Sequence, residues 1–153
     1  MSHTKIIDIQ NYYKNKLSQL NDVYGNDLVK EVTLNQKDHK GYPSIEILLG
    51  GTDNEVMTTH ENKRVWKLTA RIVSKMKKDS EEETQLIISK IMGEIIDQLD
   101  LDPYLTNDSD PVEGIMNTHY SVPVKNPYQE REFGFAMIQD IEISVITDFV
   151  YKN

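Results

Sequence analysis

Apolar residues recur at three- and four-residue spacing through positions 80–101, SEEETQLIISKIMGEIIDQLDL, where Ile88, Ile91, Met92, Ile95, Ile96 and Leu99 line up. That spacing places them on one stripe of an α-helix. Ser80 followed three residues later by Glu83 fits a capping box, in which each side chain satisfies a free backbone N–H of the first turn. Glu81, Glu82 and Glu83 crowd that turn, where the helix dipole favours negative charge. Pro103 marks the stop and biases Asp102 away from helical angles. A stripe of this kind needs a surface to cover.

The chain supplies that surface on both sides. Residues 4–20 carry Ile6, Ile9, Tyr13, Leu17 and Leu20 at helical spacing, a narrow amphipathic helix that Thr4 or Ser2 could cap. Asn21-Asp22 and Gly25-Asn26 end it, as turn residues do. Positions 28–35 alternate, with Leu28, Lys30, Val32 and Leu34 on one side and Val29, Glu31 and Thr33 on the other, which reads as a half-exposed strand. After a charged turn at 37–41, residues 45–49 (IEILL) form a short apolar strand, entered through Pro43 and ended by Gly50-Gly51 at a hairpin turn. The irregular stretch 50–63, with a weak strand at 55–59, is long enough for a loop with a task of its own.

Positions 65–73 alternate plainly: Trp66, Leu68, Ala70 and Ile72 face one way, Lys67, Thr69 and Arg71 the other. A basic run at 75–78 leads into the long helix. Beyond it, 102–114 reads as a polar, acidic loop. A strand at 115–125 is interrupted by Pro123, and 127–132 reads as a turn. In the closing segment 133–151, Ile141, Ile143, Val145, Thr147, Phe149 and Tyr151 alternate with Glu142, Ser144 and Asp148. Strands grouped between helices, rather than alternating singly with them, predict an α+β fold with a mostly antiparallel sheet packed against two helices. Ile88, Ile91, Ile95 and Leu99 would then cover Trp66, Leu68, Ile72, Ile143 and Val145. No internal repeat or linker divides the chain, and residues 1–153 read as a single domain.

Composition narrows the function. A chain of 153 residues can bury about 70% of its unfolded surface. The net charge of −8 disfavours general nucleic-acid affinity, which needs a cationic face. Without cysteine there is neither a disulfide framework nor thiolate chemistry. The first sixteen residues lack the apolar core and cleavage pattern of a signal peptide, and no run approaches the roughly 18 apolar residues of a membrane span.

Candidate chemistry is sparse. Of the four histidines, His3, His39 and His60 fall in expected loops or at the terminus and read as solvated, while His119 lies in a strand and reads as half-buried. None stands at metal-site spacing, and GxSxG, GxxxxGK[ST] and GxGxxG are absent. Between Ile91 and Val124 there is no Lys or Arg, while Glu94, Asp97, Asp100, Asp102, Asp108, Asp110 and Glu113 accumulate. Neither D-x-D pair has the glycine and glutamate frame of an EF-hand, so the segment reads as a solvated acidic surface. No catalytic, cofactor-binding or metal-ligating residue is expected.

The order of elements resembles the tail terminator (tail completion, or neck) proteins of tailed bacteriophages. The resemblance is carried by the strand KRVWKLTARIV (63–73), the helix SEEETQLIISKIMGEIIDQLD (80–100), the polar loop with its Asn107-Asp108 tip and the closing strand FAMIQDIEISVITDFVY (135–151), with the first helix and IEILLGG in the expected places. It implies a virion structural protein without an enzymatic step or cofactor. Assembled in the host cytoplasm, its subunits would form a ring, taken as a hexamer, on the last ring of the tail tube protein. That ring would stop polymerisation and receive the head–tail connector or stopper protein. DNA would pass its lumen without specific binding, and no membrane is involved. The contacts to neighbours are expected from Ile146 and Val150 on the second face of the closing strand, and from Thr52, Asp53, Asn107 and Asp108 on the two long loops. Three alternatives stay open. One is another neck or connector component. Another is a small soluble hydrolase using Asp, Glu and His119 in a deep pocket. The third is an adaptor or chaperone that binds through the helix at 4–20.

Overall fold

The computed structural model describes residues 5–22, 24–37, 39–49, 63–76, 80–106 and 111–148. Within them two helices lie on one face of a six-stranded, mostly antiparallel sheet, an α+β architecture. The elements run α1 (Lys5–Ser18), β1 (Glu31–Thr33), β2 (Ser44–Leu49), β3 (Lys63–Lys75), α2 (Glu81–Leu101), β4 (Ile115–Ser121), β5 (Tyr128–Arg131) and β6 (Gly134–Asp148). The strand order is β1-β2-β3-β6-β4, with β5 also on β6, and β1–β2 is the parallel pair. The weak strand read at 55–59 lies outside the described residues.

The two longest strands are β3 and β6, and β3 pairs with β6 along the whole of β3, with Trp66 opposite Val145, Leu68 opposite Ile143 and Ala70 opposite Ile141. Residues paired across strands share a face, and the face alternates along each strand. All six of these side chains are buried on the helix side. The α2 stripe that covers them is Thr84, Ile88, Ile91, Ile95 and Leu99, every one buried, as the spacing required. Ile9, Tyr12, Tyr13 and Leu17 of α1 fill the core over β1 and β2. Ile7 of the same helix stays 55% exposed.

Several expectations are corrected. The Ser80 side chain makes no capping bond. Instead the Thr84 N–H and hydroxyl both donate to the Ser80 carbonyl, at 3.1 and 3.0 Å. The first strand shrinks from 28–35 to Glu31–Thr33, and the strand at 115–125 ends at Ser121, ahead of Pro123. Residues 128–131, read as a turn, are strand β5, joined to β6 through Gly134 at φ +116°, a backbone angle suited to glycine. The turn after α1 is as expected. The Asp22 carboxylate accepts from the N–H groups of Tyr24 and Asn26, and Gly25 has φ +83°.

The second face of the sheet carries Val65, Lys67, Thr69 and Arg71 opposite Ile146, Ser144, Glu142 and Asp140. No described helix covers it. At the β1–β2 end, residues 34–37 and 39–43 and the β5–β6 hairpin fold across this face. There Tyr42 and Phe133 meet edge to face at 5.1 Å, and the Lys75 ammonium lies over both rings.

Candidate functional site

Alternation in β2 puts Ile45 and Ile47 in the core and Glu46 on the second face, yet Glu46 is fully buried. A buried carboxylate needs partners. Arg131, from β5, donates to both its oxygens at 2.8 and 2.9 Å. His39 completes the cluster, its Nε2 2.8 Å from Glu46 and its Nδ1 3.3 Å from Glu31. Lys37 pairs with Glu31 at 3.1 Å, and the Lys40 N–H donates to Glu31. Burial pushes the Glu46 carboxyl up, but the hydrogen bonds and charges of Arg131 and His39 outweigh it and hold the group below the usual range. His39 was read as solvated. Its side chain is buried, because the segment that carries it closes over Glu46.

A second cluster lies beside the first. Arg71 grips Asp140 with two bonds, at 2.8 and 3.1 Å. Lys125 reaches Asp140 at 3.3 Å and Glu142 at 3.6 Å. Burial raises the Asp140 carboxyl and these cations lower it further than that, so it titrates below an ordinary aspartate. A general acid needs the opposite shift.

Both carboxylates make stability depend on pH in one direction. Their folded pKa values lie below the unfolded ones, so their contribution is complete above the ordinary carboxylate range, about 4, and is lost as pH falls through the folded values. Urea midpoints should therefore fall between about pH 5 and pH 2. Glu46→Gln should flatten that dependence, which a series of melts at fixed ionic strength will read.

On the open part of the second face the sheet twists into a concavity of about 630 Å³. Lys67 of β3 and His119 of β4 flank Ser144 of β6 in one cross-strand row. Arg71, Lys125, Asp140 and Glu142 form the adjoining wall, with Leu48 and Leu49 at the rim. His119, read as half-buried, is exposed here. Lys67 pairs with no carboxylate among the described residues.

The opposite side of the same sheet edge is different in character. The Thr118 hydroxyl donates to the Pro103 carbonyl at 2.7 Å, which ties β4 to the turn after α2. Asp100 accepts a hydrogen bond from the Tyr120 hydroxyl and raises that phenol above its usual value. Around this junction Leu101 (79% exposed), Tyr104, Met116 and Tyr120 are exposed, and among the described residues β4 is bonded to β6 alone. Asp102, read as part of a solvated acidic segment, is buried. It accepts from the Tyr12 hydroxyl and from the N–H and hydroxyl of Thr106.

Of the residues expected to meet neighbours, Ile146 lies half-buried on the second face, beside Val65 and Asn117. Val150, Thr52, Asp53, Asn107 and Asp108 lie outside the described residues, as do His3 and His60. The sequence reading missed Glu46, Arg131 and the row of Lys67 and His119. A charged residue inside the apolar run 45–49 was the available signal for the first. The chain matches no protein-family model, and no curated protein matches it.

Proposed function

We propose that this chain is a ring-forming structural subunit of the tail terminator kind. In this reading it caps the head-proximal end of a phage tail tube and joins it to the head connector. The observation that carries the reading is the inequality of the two ends of the sheet. One end finishes in the three-residue β1, under α1 and the buried Glu46 cluster. The other finishes in β4, whose outer side pairs with no strand among the described residues and is flanked by exposed Leu101, Tyr104, Met116 and Tyr120. An open strand edge beside exposed apolar side chains is a site for association. Where that edge meets a different surface of the next copy the contact is heterologous, and heterologous contacts close into rings when the rotation permits. The order of a first helix, three strands, a second helix and closing strands also supports the reading, since long β3, α2 and β6 occupy the segments on which the resemblance rests. A net charge of −8 suits a ring through which DNA passes, because like charges repel and cationic contacts retain DNA.

The test is direct localisation. Antibody labelling of purified particles should place the protein at the junction of tail and head, in one ring per particle. Particles that lack the protein would sink the reading.

A further inference from the structure

We propose that the acidic end of α2 in one copy docks in the polar concavity of the next, so that each subunit is gripped head to tail by an ion-pair contact between opposite faces of the sheet. The proposal rests on the ring reading and names the surfaces that meet.

Copies of a protein with net charge −8 repel one another, and association needs a place where the sign reverses. The concavity is such a place. Asp140 is consumed by Arg71 and Lys125, and Glu142 faces the same Lys125. Lys67 is left without a carboxylate among the described residues, in one row with exposed His119 on the far side of Ser144. Three cations of the lining, Lys67, Arg71 and Lys125, stand against two carboxylates, Asp140 and Glu142, which leaves one positive charge in excess beside hydroxyl donors and a rim of Leu48 and the 65% exposed Leu49.

The complement lies at the other end of α2. Asp97 and Asp100 are exposed within the last turns of the helix, and no basic residue shares the last turn. The negative pole of the helix dipole disfavours carboxylates there; Asp100 accepts from the exposed Tyr120 hydroxyl of its own subunit, which leaves the carboxylate charged and at the surface. They stand four and one residues before Leu101, the most solvent-exposed apolar side chain of α2, so the helix end carries two acids beside an apolar knob. The concavity offers the reverse, cations beside an apolar rim. Leu101 would seat against Leu48 and Leu49 while Asp97 and Asp100 meet Lys67 and His119. Because α2 and the concavity lie on opposite faces of the sheet, one copy can use both at once, and the contact propagates from copy to copy.

Two charge-reversed variants test this, Lys67→Glu with His119→Glu and Asp97→Lys with Asp100→Lys, each compared with the wild-type chain by native mass measurement at low ionic strength. All four positions are exposed, and circular dichroism and the melting midpoint confirm that each variant keeps its fold. Each variant alone should need at least tenfold more protein to assemble. Mixed in equal amounts they should assemble again, in rings with equal numbers of the two, because every contact in an alternating ring is then between opposite charges. A variant that assembles alone at the wild-type concentration overturns the proposal and leaves the ring reading intact. So does a mixture that stays monomeric while the wild type forms rings. If the first variant still assembles but loses retention of duplex DNA on a column, the concavity is a phosphate site and the proposal is overturned. A wild-type chain that stays monomeric alongside the mixture overturns both readings.

Discussion

Arg131→Ala should destabilise the fold by about 3–5 kcal/mol, the usual cost of removing one partner from a buried ion pair. The arginine side chain is 4% exposed and its Glu46 partner wholly enclosed. Truncation leaves a buried carboxylate with the His39 ring and the Lys37 N–H as its remaining partners. Against a total stability of about 5–15 kcal/mol, the variant will be marginal, and its urea midpoint should drop by more than 1 M given a slope of about 1–3 kcal/mol per molar. Glu46→Gln combined with Arg131→Ala should cost less than the sum of the two, since both remove the same contact. The effect should reach the concavity as well. Arg131 anchors β5, and the Ile138 N–H to Pro127 carbonyl bond at 2.7 Å holds the preceding segment, which carries Lys125 to Asp140.

Ile95→Ala should cost about 2–5 kcal/mol, the range for truncating a large aliphatic side chain in a packed core. Ile95 is fully buried in the middle of the α2 stripe, above the β3–β6 pair. Leu86→Ala on the same helix is the control. Leu86 is mostly exposed, and its loss should stay within about 0.5 kcal/mol. The contrast separates burial from helix propensity, because both substitutions introduce the best helix former. Chemical denaturation of the two variants side by side will read it.

These two substitutions also mark what could be read from the chain before its structure. Ile95 belongs to a stripe with a helical period, and β3 and β6 alternate apolar and polar residues over most of their length, so a local pattern sufficed for α2, β3, β6 and the α+β class. Arg131 belongs to a strand with no apolar alternation. The residues of β5 that face the sheet are Gln129 and Arg131, and the partner of Arg131 is Glu46, 85 residues away. Local pattern cannot carry such a pairing. The same reason hid His39, whose loop is polar because it closes over a carboxylate, and Asp102, whose burial depends on Tyr12 at the far end of the chain. The concavity was legible only as the outward half of 65–73. That Lys67 lies in a row with Ser144 and His119 follows from strand order, which periodicity does not specify. The exposed junction of α2 and β4 depends on the same long-range order.

The central claim is that the subunits join through unlike surfaces into a closed ring. Native mass measurement with negative-stain imaging of the purified protein, across a wide range of concentration, tests it most directly. A closed ring should appear as an annular species of a single defined mass, a multiple of the 17.7 kDa chain with six copies expected, that disperses as salt screens the contact. A monomer at every concentration, or a two-fold dimer that grows no further, would contradict it.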